Sequence, residues 1–108
     1  MTTQEIQARA KQVRALYEKL AQKNYGRSWS REELMLGFVG DVGDLAKLAI
    51  AKEGVRDISD ADQKLQHELA DCLWSVLVLA DAYGIDIEAA FTRTMDQLET
   101  RVNKELDV

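Results

Sequence analysis

The sequence has no proline, and its six glycines fall either in a tight set at 37, 40 and 43 or singly at 26, 54 and 84. With no proline to interrupt a backbone ladder, helices are expected throughout. One cysteine, Cys72, and one histidine, His67, exclude a disulfide framework and a Cys/His zinc site within one chain. That usage fits a reducing compartment. The longest apolar run, Leu73 to Ala80, is broken by Ser75 and is far short of the ~20 residues a bilayer requires. No basic-then-apolar leader opens the chain, so a soluble, cytoplasmic protein with no membrane partner is expected. Positive charge is scarce too: 14 Lys and Arg stand against 19 Asp and Glu, a net charge of -5. This balance argues against a grip on nucleic-acid backbone, and a small anionic ligand would need a cation as intermediary.

The 108 residues are 46% hydrophobic, enough for one domain over 1–108 with a core of its own. Thr2, with Glu5 reaching back, predicts a first helix with the stripe Ile6, Ala10, Val13, Leu16, Tyr17 and Leu20, ending in a loop from Asn24 to Trp29. Ser30 and Glu33 repeat the capping-box pattern and open a second helix running to about Glu53, stopped by Gly54. Ser59 or Asp60 can cap a third, from about Ala61 to Tyr83, with the stripe Leu65, Leu69, Cys72, Leu73, Val76, Leu79 and Tyr83. Asp86 caps a fourth through Ile87, Ala90, Phe91, Met95, Leu98 and Val102, with Ile85 placed to act as a staple and the last residues frayed. Short connections predict an all-α, antiparallel four-helix bundle-like domain. Slender helices in a single layer leave apolar surface uncovered, so pairing into a homodimer or dimer of dimers is expected to complete it.

The chemistry concentrates between Gly37 and Asp71. Asp41 and Asp44 on the second helix, and Glu68 and Asp71 on the third, each set two carboxylates nearly one turn apart at the edge of an apolar stripe. At 100° per residue, Asp41 lies roughly 40° from the middle of its stripe and Asp44 about 60° further, and Glu68 and Asp71 take nearly the same offsets. If the two helices pack side by side, the pairs converge into an all-oxygen site suited to magnesium or manganese. A polar interhelical network and a plain solvated face are the other readings of the same residues. Gly37, Gly40 and Gly43 each cost about 1 kcal/mol in a helix interior, which points to a close neighbouring helix or to room for a ligand. Trp29 and Trp74 fit either stacking on a base or burial, including burial at a subunit interface. His67 reads as a solvated helix residue and Cys72 as a small core residue, neither of them nucleophilic.

The segments Leu34-Met-Leu-Gly-Phe-Val-Gly-Asp41-Val-Gly-Asp44-Leu-Ala, Leu65-Gln-His-Glu68-Leu-Ala-Asp71-Cys-Leu-Trp and Gly84-Ile-Asp-Ile-Glu-Ala-Ala-Phe91 resemble the MazG-like nucleotide pyrophosphohydrolases, which include the all-α dUTPases and dCTPases. The family signature ExxE, spacer, ExxD is matched as DxxD, 23 intervening residues, ExxD, and the likeness covers roughly residues 30 to 102. The resemblance implies that Asp41, Asp44, Glu68 and Asp71 coordinate magnesium, with manganese as a substitute. It also implies that a nucleoside triphosphate is hydrolysed to monophosphate and pyrophosphate, with Asp41 or Glu68 taking the proton of the attacking water. Both glutamates of ExxE are aspartates here, and Gly40 and His67 stand where relatives often carry further glutamates. Of the lysine, asparagine and arginine that hold phosphates near the end of relatives, Arg101 is retained, while Thr94 and Leu98 fill the other positions. Lys47, Lys52 and Arg93 are candidates to compensate. Trp29, Lys47 and Arg101 are thus the expected substrate contacts. A helical binding or regulatory module that keeps the fold without turnover is the competing reading, and a scaffold whose acidic face takes a basic partner is a third.

Overall fold

The computed structural model describes residues 1–107, which form four helices: α1 (Thr3–Tyr25), α2 (Arg31–Lys52), α3 (Ala61–Ala82) and α4 (Ile87–Leu106). There is no strand among the described residues, and the all-α expectation holds. Among the described residues no helix is long and apolar enough to cross a membrane.

The ends follow local chemistry. Thr2 Oγ1 accepts from Glu5 N–H at 3.1 Å, although the Glu5 carboxylate takes the Thr2 hydroxyl and not the cap backbone. The Ser30–Glu33 capping box forms in both directions, at 3.2 and 3.0 Å. Asp86 caps α4 by accepting from Ala89 N–H. Gly26 closes α1 at φ 73°, a left-handed turn that costs glycine nothing, and returns its N–H to Gln22. The expected cap on α3 does not form. Asp60 occupies the position at φ 54°, and its side chain makes no cap hydrogen bond. Nor does α4 fray after Val102: it continues to Leu106, and Asp107 N–H bonds back to the Asn103 carbonyl. Val108 lies outside the described residues.

α2 and α3 are the main packed pair, with α1 laid against α3. The α2–α3 pair is antiparallel, since Lys52 meets Asp62 near one end while Ser75 Oγ donates to Asp41 further along. α1 is fixed by Lys11 and Arg14 on Asp81 and by Trp74 Nε1, which donates to the Ala10 carbonyl at 3.2 Å. Because α3 is flanked on two sides, its buried residues are Ser75, Leu77, Val78 and Ala80, spread around the helix. Leu69, Leu73 and Tyr83 of the expected stripe stay exposed. On α1 the stripe is covered at Ala10 but open at Leu16, Tyr17 and Leu20.

α4 packs little against the other three helices and has no buried residue. The radius of gyration is 17.3 Å, against about 13 Å for a compact domain of this length. Among the described residues the buried apolar core is six residues, three of them alanine. The four helices therefore form a bundle-like layer whose fourth member is unclosed within one protomer.

Candidate metal centre

Antiparallel packing of α2 on α3 brings Asp41, Asp44 and Glu68 together, with one carboxylate oxygen from each lying within 4.8 Å of the others. Asp71 does not complete a single set of four. It joins a second group with His67 and Glu68, and its Oδ2 stands 3.1 Å from His67 Nε2 one turn away. Glu68 is the member common to both groups. The equal offsets of the two pairs account for the convergence, and the local helix geometry of residues 67 and 71 accounts for the departure.

Glu68 carries the strain of this arrangement. Its Oε2 is buried and has no hydrogen-bond partner. Desolvation first, then the negative charges of Asp71, Asp41 and Asp44, hold its carboxyl above the ordinary range, with His67 acting weakly the other way. A buried acceptor left unpaired costs about 1–3 kcal/mol, a cost that a bound cation would offset. Clustered hard oxygen donors with no sulfur ligand suit a divalent cation of the magnesium kind. Asp41 is better served, since its Oδ2 accepts from Ser75 Oγ at 3.3 Å. Burial, and then Asp41, Glu68 and Asp71, push the Cys72 thiol above its ordinary range, and the residue is half-buried, where a fully buried core position was expected.

Two clefts flank the carboxylates. One, about 370 Å³, lies among α1, α2 and α3, and Asp41 lines it together with Tyr17, Tyr25, Trp29 and Trp74. The rings of Tyr17 and Trp74 are 5.5 Å apart and tilted. The other, about 430 Å³, is lined by Asp44, Glu68, Lys47, Lys64 and His67. Trp29 and Lys47 thus line different clefts, the first shared with Asp41 and the second with Asp44 and Glu68. Arg101 is exposed on α4 and lines neither cleft. Lys52 is engaged with Asp62. Sequence reasoning missed Lys64, although its place one turn before Glu68 was a usable signal, and it missed Ser75, which carries no signal without the α2 register. Of the three helical glycines, Gly37 alone has a neighbour: a Cβ there would lie 3.8 Å from the Trp29 ring, while Gly40 and Gly43 face open space.

A pH dependence follows. Glu68 titrates near 4.5 when unfolded and higher when folded, so between those values the native state binds more protons and the metal-free protein loses stability as pH rises. A cation competes with that proton. Magnesium is expected to raise the melting temperature at neutral pH and to do so progressively less as pH falls through the Glu68 titration, measured by calorimetry with and without the ion.

The sequence profile of the MazG nucleotide pyrophosphohydrolase domain matches residues 30–105, a segment that contains α2, α3 and all four acidic residues. Among curated proteins and solved structures, nothing matches the chain. With the profile spanning well over half its length, the chain belongs to the MazG nucleotide pyrophosphohydrolase domain family.

Proposed function

We propose that the protein is a cytoplasmic, magnesium-dependent hydrolase that converts a nucleoside triphosphate to the monophosphate and pyrophosphate, clearing unwanted nucleotides. The observation that carries this reading is the partnerless, buried Glu68 Oε2 within the Asp41–Asp44–Glu68 cluster, flanked by one aromatic and one lysine-bearing cleft. Asp41, Asp44 and Glu68 would hold the cation, with Asp71 joining through the group it shares with Glu68. Magnesium so bound, or manganese in its place, compensates charge on phosphate oxygens and acidifies water.

The remaining work falls to the chain. Trp29, with Tyr17 and Trp74, offers rings on which a base can stack, and Lys47 with Lys64 offers positive charge to the phosphates in the cleft lined by Asp44 and Glu68. As water adds to phosphorus and the α–β anhydride linkage opens, a proton must leave that water. Glu68 is the acceptor this reading assigns, because its Oε2 is engaged by no protein group while Asp41 already accepts from Ser75. No side-chain nucleophile is needed. Arg101 reaches the phosphates only if another copy brings it there, and the uncovered faces of α3 and α4 favour a homodimer or a dimer of dimers.

The competing reading is a binding module without turnover, favoured by the shorter Asp41 and Asp44 and by the position of Arg101 on α4. A panel of ribo- and deoxynucleoside triphosphates with magnesium or manganese separates the two. Equal yields of pyrophosphate and monophosphate are expected from at least one member. Binding without release of either product would leave the module reading in place.

A further inference from the structure

The five residues joining α1 to α2, Gly26 to Ser30, are tied down far more heavily than a surface loop requires. The Gln22 amide, oriented to satisfy both ends, donates to the Gly26 carbonyl and accepts from Ser28 N–H, each at 3.2 Å. The Arg27 guanidinium forks onto Glu33, with Nη1 to Oε1 at 2.6 Å and Nη2 to Oε2 at 2.9 Å, and Nη1 also reaches the Ser28 carbonyl at 3.4 Å. Glu33 Oε1 accepts from Ser30 N–H as well, so one carboxylate joins the loop's second and last residues to the first turn of α2. Arg27 and then the Ser30 backbone hold the Glu33 carboxyl down to about 2, so the fork is intact across the neutral and mildly acidic range.

Trp29 sits between these ties. Its ring edge rests over Gly37, yet the residue is 50% exposed and its indole lines the cleft shared with Tyr17, Tyr25, Trp74 and Asp41. A tryptophan held in place merely to bury itself would be covered. An exposed ion pair contributes little to global stability, so two-point geometry at the surface serves mainly to fix conformation. Fixing an exposed ring before a ligand arrives removes the ordering cost that the ligand would otherwise bear.

We propose that Arg27, through its fork on Glu33, is a positioning residue that presents Trp29 as a preformed wall of the nucleobase seat beside Asp41. The proposal rests on the nucleotide reading given above. Arg27 itself touches neither base nor phosphate, and it acts through the loop.

The test uses the full chain and two substitutions, Arg27→Gln and Arg27→Lys, with two readouts. The indole N–H signals of Trp29 and Trp74 are followed by NMR without nucleotide and assigned with Trp29→Phe. In Arg27→Gln the Trp29 signal is expected to broaden or move toward its position in a mobile chain. The Trp74 signal, bonded to the Ala10 carbonyl, should stay in place and report an intact fold. With the best substrate of the panel, KM is expected to rise about 10-fold at a kcat within about 2-fold of wild type, as loss of part of one stacking contact requires. Arg27→Lys, a point charge without the fork, should recover only part of KM. An unmoved Trp29 signal, or an unchanged KM in Arg27→Gln, overturns the proposal. If the wild-type protein neither binds nor cleaves any nucleotide, the functional reading is what has failed, and a role in seating a base falls with it whatever the NMR shows.

Discussion

Glu68→Gln is expected to cut pyrophosphate release by about 100-fold or more while raising the melting temperature of the metal-free protein. The two effects have one origin. In the native state Glu68 presents a buried, unpartnered oxygen to three other carboxylates, and its raised proton affinity records how poorly the charged form is tolerated. An amide of the same shape removes the charge and can donate to Asp41 or Asp44, relieving about 1 kcal/mol, the low end of the range because Asp44 and its surroundings are solvated. For a domain of this size that is a rise of about 4 °C. The same change deletes the member shared by both acidic groups and the proposed proton acceptor, so any stabilisation by magnesium should vanish with turnover. A variant that loses activity and also loses metal-free stability would mean that Glu68 is a structural residue. Thermal melts with and without magnesium, beside the product assay, decide between them.

What the sequence made legible was chiefly local. Ser30 with Glu33 and Asp86 set helix ends through contacts within four residues, each where its chemistry predicts, whereas α1 runs through Asn24 and Tyr25 of the expected loop before Gly26 closes it. Asp60 did not act as a cap: its backbone lies in the left-handed region, not in the extended conformation that the capping Thr2, Ser30 and Asp86 adopt. The convergence of Asp41 and Asp44 on Glu68 was legible for a different reason: a three-residue spacing sets Asp41 and Asp44 on one face, and side-by-side packing of α2 on α3 brings that face to Glu68. Asp71 shows the limit of that logic. A local partner, His67 at i−4, claims its carboxylate, and competition between a neighbour on the same helix and a partner across the interface does not show in spacing alone.

The aromatic cleft was less legible. Trp29 was a candidate by residue type, but its place in the cleft follows from the turn between α1 and α2, whose Arg27–Glu33 fork joins residues six apart and shows in no helical period. Tyr17 and Trp74 come together only because α1 crosses α3, and no periodicity within either helix encodes that crossing. The expected stripe on α3 erred for the same reason. A helix packed on two sides distributes its buried residues, so Ser75 and Val78 are interior while Leu69 and Leu73 are not. An apolar stripe read from sequence marks surface that gains from being covered, and does not say which element covers it.

Phe91→Glu is the second substitution expected to have a large effect, and it tests where that cover comes from. Phe91, Met95, Leu98 and Val102 lie on one face of α4 and are 61%, 40%, 38% and 45% exposed. Fully burying each is worth about 1.5–3 kcal/mol, a sum too large to leave in water on a helix that packs little against its own chain. Light scattering is expected to give the wild-type protein a mass of two or four times 12.2 kDa, and the Phe91→Glu protein the protomer mass. An unpaired carboxylate buried at such a contact costs several kcal/mol, enough to weaken association by more than about 100-fold. A wild-type protein that runs as a single protomer at micromolar concentration would sink the homo-oligomer reading. The dissociated variant also separates assembly from the metal centre. Asp41, Asp44 and Glu68 all come from one chain, so its melting temperature should still rise with magnesium, whereas any phosphate contact that depends on Arg101 from a neighbouring copy should disappear with the mass.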